Sequence, residues 1–231
     1  MYSLFHLLTL GKNCLTSYIV HMTGYRRFQL PPPVPPENLP EYLAGFMLIS
    51  ETELKDPNFF RTLVLLLSHD ENGAMGLIVN RPSNAALSDL SDDLKEISFN
   101  SHPVYIGGPV EQNYLFALHT GFPGNIKSDG AIEAAEDIVF EPDFEVLRSN
   151  FDRMRDSQEK GIPSIRFFAG YAGWATGQLE EEMQRGDWAV IRASAGLVFS
   201  EDPGTSWKQA LYKKGGLYWV AAETGFKPSI N

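Results

Sequence analysis

The chain has 231 residues, 43% of them hydrophobic, with 19 Lys or Arg against 29 Asp or Glu. This length and composition suit one sizeable globular domain, and no apolar run reaches the roughly 18–20 residues that cross a bilayer. Residues 1–36 hold three bases and no acids, so residues 37–231 hold 16 bases against 29 acids, a net of −13 that argues against nucleic-acid binding.

Residues 1–41 are predicted to be a flexible or extended N-terminal segment, and residues 42–231 to form the domain. The run PPPVPP at 31–36 cannot form a helix or a central strand, because proline lacks an N–H donor and fixes φ. We interpret residues 31–40 as a stiff, extended linker, with an SH3-type ligand as the alternative. A signal peptide, a transit peptide and a misassigned start that makes residues 1–21 non-native, with Met22 as the true start, remain open for what precedes it.

Cys14 is the only cysteine, which excludes an intrachain disulfide and any multi-cysteine metal site. The cysteine content fits a reducing compartment. We also predict no metal and no cofactor, because only His69, Asp70 and Glu71 cluster in the sequence and the turn DENG lacks the alternation of a calcium loop.

Three strands are predicted at the start of the domain. The segment 43–50 is one, and the nearly continuous apolar run 61–69 is typical of a strand covered on both faces. The turn Asn72-Gly73 suits positive φ, so 61–69 and 73–80 are predicted to form a hairpin.

Helices and short strands are predicted to follow. Leu87, Leu90 and Leu94 have helical spacing, and 104–109 and 114–120 read as strands around a Gly-Gly-Pro corner. A helix opens at Pro142, and its inner face is predicted to hold Phe144, Leu147, Phe151 and Met154.

The last third is predicted to contain strand 164–171, a helix from Thr176, strand 187–193, a helix opened by Asp202-Pro203, and an extended segment 215–222. Strands and about four helices therefore mix without regular βαβ alternation. We predict a single α+β domain with a mixed or largely antiparallel, curled sheet.

Four segments resemble the YqgE/AlgH family of bacterial proteins: LKDPNFFRTLVLLLSHDENGAMGLIVNRP, VYIGGPVEQNYLFALHT, FAGYAGWATGQLEEEMQRGDW and LVFSEDPGTSWKQAL. They occur in the family's order and cover about residues 43–212. The resemblance implies a bifurcated sheet curled into a partial barrel and a soluble cytosolic protein. It carries over no catalytic residue, and one branch bears a name that suggests transcriptional regulation.

Ser68-His69-Asp70 contains the residue types of a nucleophilic triad, but neighbours in a strand point to opposite faces and cannot align as nucleophile, base and orienting group. His69 remains a candidate binding residue. Asn80 and Arg81 end the hairpin and could bind a carboxylate or phosphate, or satisfy the backbone where Pro82 ends the pairing.

Glycine-rich corners supply the other candidates. Gly107 and Gly108 allow close approach of a ligand or simply permit a corner. The segment Gly170–Gly177, with Gly173 and Trp174, is interpreted as a strand-to-helix junction that suits an anion or requires small residues. Gln178 and Glu180 could serve as amide and general base, or form a solvated helix face.

The leading hypothesis is a small-molecule-binding or regulatory interaction protein whose cleft joins His69, Asn80, Arg81, the Gly-Gly-Pro corner and the Gly170–Gly177 segment. Anionic metabolites are the first ligands to screen. A hydrolase that uses His69 or Glu180 as its base and a transcriptional regulator are the alternatives. The sequence does not identify the ligand, a protein partner or the oligomeric state.

Overall fold

The computed structural model describes residues 38–97, 99–124, 127–157 and 163–228. Residues 1–37, which include Cys14, Met22 and the proline run of the predicted N-terminal segment, lie outside these ranges. The strands are β1 (Phe46–Ser50), β2 (Leu63–Asp70), β3 (Gly73–Ile78), β4 (Pro82–Ala86), β5 (Pro103–Ile106), β6 (Val110–His119), β7 (Ile132–Ala135), β8 (Ile138–Glu141), β9 (Ile165–Ala175) and β10 (Trp188–Arg192). The helices are α1 (Phe144–Ser157), α2 (Gln178–Arg185), α3 (Ala195–Val198), α4 (Pro203–Lys214) and α5 (Leu217–Thr224).

One mixed sheet contains all ten strands. Its main path runs β10-β1-β2-β3-β9-β6-β8-β7, and β4 and β5 attach beside β9. Only the β5–β9 pair is parallel. The sheet curls until β7 meets the segment before β1, since a Cβ on Gly45 would lie 2.6 Å from the Ala134 carbonyl oxygen. The predicted α+β domain with a curled partial barrel is confirmed.

The sheet forks at β9. Residues Ala172–Ala175 pair with β3, whereas Phe167–Ala169 pair with β5 along the same edge. The opposite edge of β9 pairs with β6. This change of partner, from β3 to β5, is the bifurcation that the family resemblance implies.

Two apolar layers cover the hairpin β2–β3. Alternate side chains of β2, Leu63, Leu65 and Leu67, pack inside the half-barrel with α4 and α5. Val64 and Leu66 pack on the outer face with Trp174, Leu179 and Trp188. Both faces of the hairpin are therefore buried, as the continuous apolar run predicts.

Three local predictions are wrong. The first is the helix predicted from the spacing of Leu87, Leu90 and Leu94. Residues 82–86 form β4 instead, because the Ser83 hydroxyl donates to the Val104 carbonyl and holds the segment against β5. Only 3₁₀ turns follow, at Leu87–Asp89 and Asp93–Glu96. Residues 217–224 form α5 instead of an extended segment. Gly215 and Gly216 take positive φ, end α4 and return the chain so that Ala221 and Ala222 are buried.

The third wrong prediction concerns the end of β9. The strand continues to Ala175, so most of the Gly170–Gly177 segment is sheet and not a junction loop. Pairing of Gly73–Gly76 with Ala172–Ala175 extends the strand past its glycines. Among the described residues, no helix is long and apolar enough to span a membrane.

Candidate functional site

A β-bulge decides which way the end of β2 faces. The register with β3 shifts between Leu66 and Ser68, so Leu67 and Ser68 both lie on the inner side of the sheet. Ser68 pairs with Met75, which packs against the inner core, and His69 pairs with Ala74 of the outer core. The bulge therefore sends His69 outward and leaves Ser68 and Asp70 on the concave face.

His69 is held by hydrogen bonds at both ring nitrogens. Its Nδ1 accepts the Leu43 N–H at 2.9 Å, and its Nε2 lies 2.8 Å from Glu180 Oε1. Because a backbone N–H can only donate, Nδ1 is the acceptor and Nε2–H donates to the carboxylate. The side chain is 2% exposed, and it ties β2 to the start of α2.

Glu180 is ionised in this arrangement. A hydrogen bond from its own backbone N–H lowers the pKa of the Glu180 carboxyl; burial opposes this, and the hydrogen bond from His69 adds a smaller lowering. Its side chain is 44% exposed. The pair thus has a buried imidazole and a carboxylate at the surface.

Negative charge gathers around the turn of the hairpin. The pKa of Tyr42 is raised, first by lost hydration and then by repulsion from Glu41, Glu71, Asp70 and Glu180. The Tyr42 ring meets His69 edge-on at 5.3 Å between centroids. This end of the domain repels anions.

The concave face of β2, β3 and β9 contains an open cavity of about 430 Å³, which we call the concave cleft. Polar and apolar groups share its surface. It is lined by Ser68, Asp70, Asn72, Gly73, Ala74, Met75, Val110, Tyr171, Gly173 and Trp174.

Asp70 and Gly173 set the character of the concave cleft. Asp70 Oδ1 accepts the Asn72 N–H at 2.8 Å, and no basic side chain of the described residues forms an ion pair with this carboxylate. Gly173 keeps the cleft open, because a Cβ there would lie 3.2 Å from Tyr171 Cε2. The wall of the cleft thus contains both a carboxylate and an aromatic ring.

Asn80 and Arg81 hold a loop in place. Asn80 Oδ1 accepts the Leu63 N–H at 2.8 Å, and its Nδ2 donates to the Arg61 carbonyl at 3.0 Å. Arg81 donates to the carbonyls of Asn58, at 2.7 Å, and Phe60, at 3.4 Å. Partial burial lowers the pKa of Arg81. These two side chains brace the loop before β2 from the far end of the hairpin.

The Gly-Gly-Pro corner is a backbone crossing. The Gly107 N–H donates to the Ala169 carbonyl on one edge of β9, and Val110 pairs with Tyr171 on the other edge. Between them, a Cβ on Gly107 would lie 2.2 Å from the Gly170 oxygen, and one on Gly108 would lie 2.1 Å from the Tyr171 oxygen. The close approach of the two backbones therefore requires glycine at both positions.

Trp174 and Gln178 belong to a polar cluster under α2. The indole N–H groups of Trp174 and Trp188 both donate to Glu182 Oε2 at 2.8 Å. Gln178 accepts the Ala175 N–H at 3.1 Å and donates to Glu182 Oε1 at 3.0 Å. Glu182 is the centre of this cluster, and the helix pattern gave no signal for it.

The structure separates the ten sequence-predicted site residues. His69 and Glu180 meet on the outer face, Asn80 and Arg81 lie at the far end of the hairpin, and Gly173 and Trp174 line the concave cleft. Ser68 and Asp70 of the cleft were not predicted as binding residues, whereas Tyr171 belongs to the predicted Gly170–Gly177 segment. Within the described ranges, no group of three or more His, Cys, Asp or Glu side chains is placed to hold a metal ion.

Comparisons with known proteins agree with this fold. A family model described as AlgH-like matches residues 47–219. The chain is 34% identical over 189 residues to a UPF0301 protein of Chlorobaculum tepidum, covering 81% of this chain and 95% of the relative. It is also 34% identical over 195 residues to a UPF0301 protein of Streptomyces avermitilis, with 82% and 95% covered.

Two solved structures have the same architecture. The solution structure of the AlgH protein from Pseudomonas aeruginosa superposes with a TM-score of 0.61 at 28% identity, covering 84% of this chain and all of that one. The crystal structure of a Corynebacterium diphtheriae protein gives a TM-score of 0.60 at 24% identity, with 76% and 88% covered, and shows the fold alone.

Proposed function

We propose that this chain, which belongs to the AlgH-like family, is a small-molecule-binding protein without strong intrinsic catalysis whose ligand occupies the concave cleft. The observation that carries the proposal is the Asp70 carboxylate, which lines this cleft together with Tyr171 and has no ion-pair partner among the described residues. A volume of about 430 Å³ suits a small molecule.

The chemistry of the cleft favours a ligand with a cationic or hydrogen-bond-donating end. Asp70 would accept from that end, and the Ser68 hydroxyl on the same face would add a second polar contact. Tyr171 and Met75 offer an apolar surface for a flat group or, at the ring face, for a cation. Anionic metabolites fit poorly, since the acids near Tyr42 repel them.

A hydrolytic function that uses His69 as its base is poorly supported. Both ring nitrogens of His69 already form hydrogen bonds within the chain, and the imidazole is buried. A general base must reach the proton that it removes. His69 would have to leave Leu43 or Glu180 before it could act, so the geometry argues against His69 in this role.

A thermal-shift screen tests the proposal. Tyramine, benzylamine and benzamidine are compared with the uncharged benzamide and with acetate and phosphate. A ligand at about ten times its Kd stabilises the fold by about 1.4 kcal/mol, which raises the Tm of a domain of this size by roughly 3–6 °C. We expect tyramine, benzylamine and benzamidine, which each combine an aromatic ring with a cationic group, to raise the Tm by this amount. Acetate and phosphate should give no shift through this cleft.

Two variants locate the effect. Asp70→Asn removes the charge and Gly173→Val fills the cleft, and both should abolish the shift. Glu71→Gln is the matched control, because it removes a neighbouring charge that does not line the cleft. The proposal fails if no amine stabilises the wild type, or if the stabilisation survives in Asp70→Asn and Gly173→Val alike.

A further inference from the structure

The loop before β2 holds Arg61 in a strained conformation. Its φ is +52°, a region that non-glycine residues rarely occupy. Asn80 donates to the Arg61 carbonyl, and Arg81 donates to the carbonyls of Asn58 and Phe60. Hydrogen bonds from the end of the hairpin therefore hold the backbone of this exposed arginine in place despite the strain. Strain of this kind is typical of functional sites.

The guanidinium of Arg61 stacks against aromatic rings. Its Cζ lies 5.1 Å from the Phe60 ring centroid and 5.4 Å from that of Trp207. Within the part of the chain that the structure describes, this guanidinium forms neither an ion pair nor a side-chain hydrogen bond. By contrast, Arg185 pairs with Asp187 and Arg166 bonds two carbonyls. Arg61 keeps its N–H donors free in a chain with a net charge of −10.

A second cavity of about 300 Å³ lies beside this arginine, between the start of α4 and the end of α5. Two further charges lie in its wall, and they offset each other: Lys208 Nζ is 3.5 Å from Glu223 Oε1. Glu223 also accepts the Tyr212 hydroxyl. The cavity is lined by Arg61, Gly204, Thr205, Trp207, Lys208, Ala222, Glu223, Thr224 and Gly225.

The threonines of the cavity are already engaged. Thr205 Oγ1 donates to the Asp202 carbonyl at 3.0 Å and accepts from Gln209 at 2.9 Å. Thr224 Oγ1 donates to the Val220 carbonyl at 2.8 Å. Arg61 is therefore the charged group of this wall that has no hydrogen-bond or ion-pair partner among the described residues, and a side chain at Gly225 would crowd it, since a Cβ there would lie 3.3 Å from Arg61 Nη2.

We infer that this second cavity binds a small molecule through an oxyanion, a carboxylate or a phosphate, held by the Arg61 guanidinium. The planar fork of arginine matches both anions with two parallel hydrogen bonds. Phe60 and Trp207 lie against the guanidinium, with ring centroids 5.1 and 5.4 Å from its Cζ. The ligand is opposite in charge to the one proposed for the concave cleft. The two binding sites are therefore independent, and evidence against one leaves the other unaffected.

Isotope-edited NMR of the full chain tests this inference. Inorganic phosphate and benzoate are titrated separately at constant ionic strength, with sodium chloride as the compensating salt. We expect saturable shifts of the Gly204 and Gly225 amides and of the Trp207 indole N–H. Saturation by phosphate alone assigns a phosphate group, saturation by benzoate alone assigns a carboxylate, and either result supports the inference.

Arg61→Gly is the decisive variant, because glycine suits the positive φ and leaves the backbone free of strain. It should weaken the affinity at least about ten-fold, whereas Arg61→Lys should weaken it less because a point charge remains. Arg148→Ala, at an exposed position of α1, is the matched control and should bind like the wild type. Equal affinity in Arg61→Gly and the wild type, or no saturation by either anion, would overturn the inference.

Discussion

His69 Nε2 and Glu180 Oε1 lie 2.8 Å apart, and this hydrogen bond joins residues 111 positions apart in the chain. The other ring nitrogen of His69 accepts the Leu43 N–H. One imidazole thus links the end of β2, the start of α2 and the segment before β1. We interpret the pair as a structural junction on the outer face, opposite the concave cleft.

This junction predicts unequal effects of two substitutions. His69→Ala removes both hydrogen bonds and leaves the buried Leu43 N–H without its acceptor, so it should lower the free energy of unfolding by about 2–3 kcal/mol. Glu180→Ala should cost less than about 1 kcal/mol, because an exposed partner contributes little. Chemical denaturation measures both, with Glu181→Ala of the same helix as the control. Equal losses in His69→Ala and Glu181→Ala would refute this reading.

His119 predicts a specific dependence of stability on pH. It is buried, and its Nδ1 accepts the Gly121 N–H at 2.9 Å. Burial, more than the opposing attraction of Glu141, lowers the pKa of His119 from 6.5 to about 4. On acidification the unfolded chain takes up this proton first. The stabilisation that neutral, buried His119 gives the folded state is therefore complete above pH 6.5 and is lost between pH 6.5 and about 4.

The size of this effect follows from the shift. Between about pH 7 and about pH 4.5 the wild type should lose roughly 2 kcal/mol more unfolding free energy than His119→Asn, whose amide oxygen can replace Nδ1 as acceptor. Denaturant titrations at the two pH values measure the difference. Identical pH dependence in the two proteins would mean that His119 takes up its proton in the folded state as readily as in the unfolded chain.

The backbone crossing predicts that Gly108 tolerates no side chain. A Cβ there would lie 2.1 Å from the Tyr171 carbonyl carbon and oxygen, which are backbone atoms that cannot move aside. Gly108→Ala should cost about 3 kcal/mol or more, or prevent folding. Gly196→Ala is the control: a Cβ meets nothing within 4 Å there, so it should be neutral or slightly stabilising. A folded Gly108→Ala protein with wild-type stability would contradict the crossing.

Asn80 is predicted to matter for both stability and the Arg61 cavity. Asn80→Ala removes the acceptor of the Leu63 N–H and the donor to the Arg61 carbonyl, at a cost of about 2 kcal/mol. It should also weaken phosphate or benzoate binding, since the Arg61 loop loses its brace. Asn84→Ala, on the exposed side of β4, should change neither property. If Asn80→Ala unfolds at the same denaturant concentration as Asn84→Ala, the hydrogen bonds of Asn80 do not stabilise the loop before β2.

The sequence predicted the parts of the fold whose pattern is local. The run Leu63–Leu67 indicated a strand buried on both faces, and the spacing of Phe144, Leu147, Phe151 and Met154 indicated α1. Alternation also correctly separated His69 from its neighbours Ser68 and Asp70. These features depend on residues that are close together in the sequence, so the spacing of the apolar residues is enough to predict them.

The binding surfaces depend on relations that are not local. The bulge at Leu67 has no composition signal, yet it decides that Ser68 and Asp70 face the concave cleft. The sequence left Gly107 and Gly108 open between a ligand contact and a corner, because the crossing over β9 is visible only in three dimensions. Arg61 has no local signal in the sequence, because the side chains that hold its loop, Asn80 and Arg81, lie about 20 residues away.

The most direct test of the concave cleft is to map a bound amine by NMR. Tyramine is titrated into the labelled full chain, and amide shifts are compared along the chain. We predict the largest saturable shifts at Ser68, Asp70, Met75 and Gly173. In the Asp70→Asn variant, tyramine should shift none of these amides. Largest shifts at Gly204 and Gly225, or on α2 around Glu180, would place the amine elsewhere and contradict the proposed function.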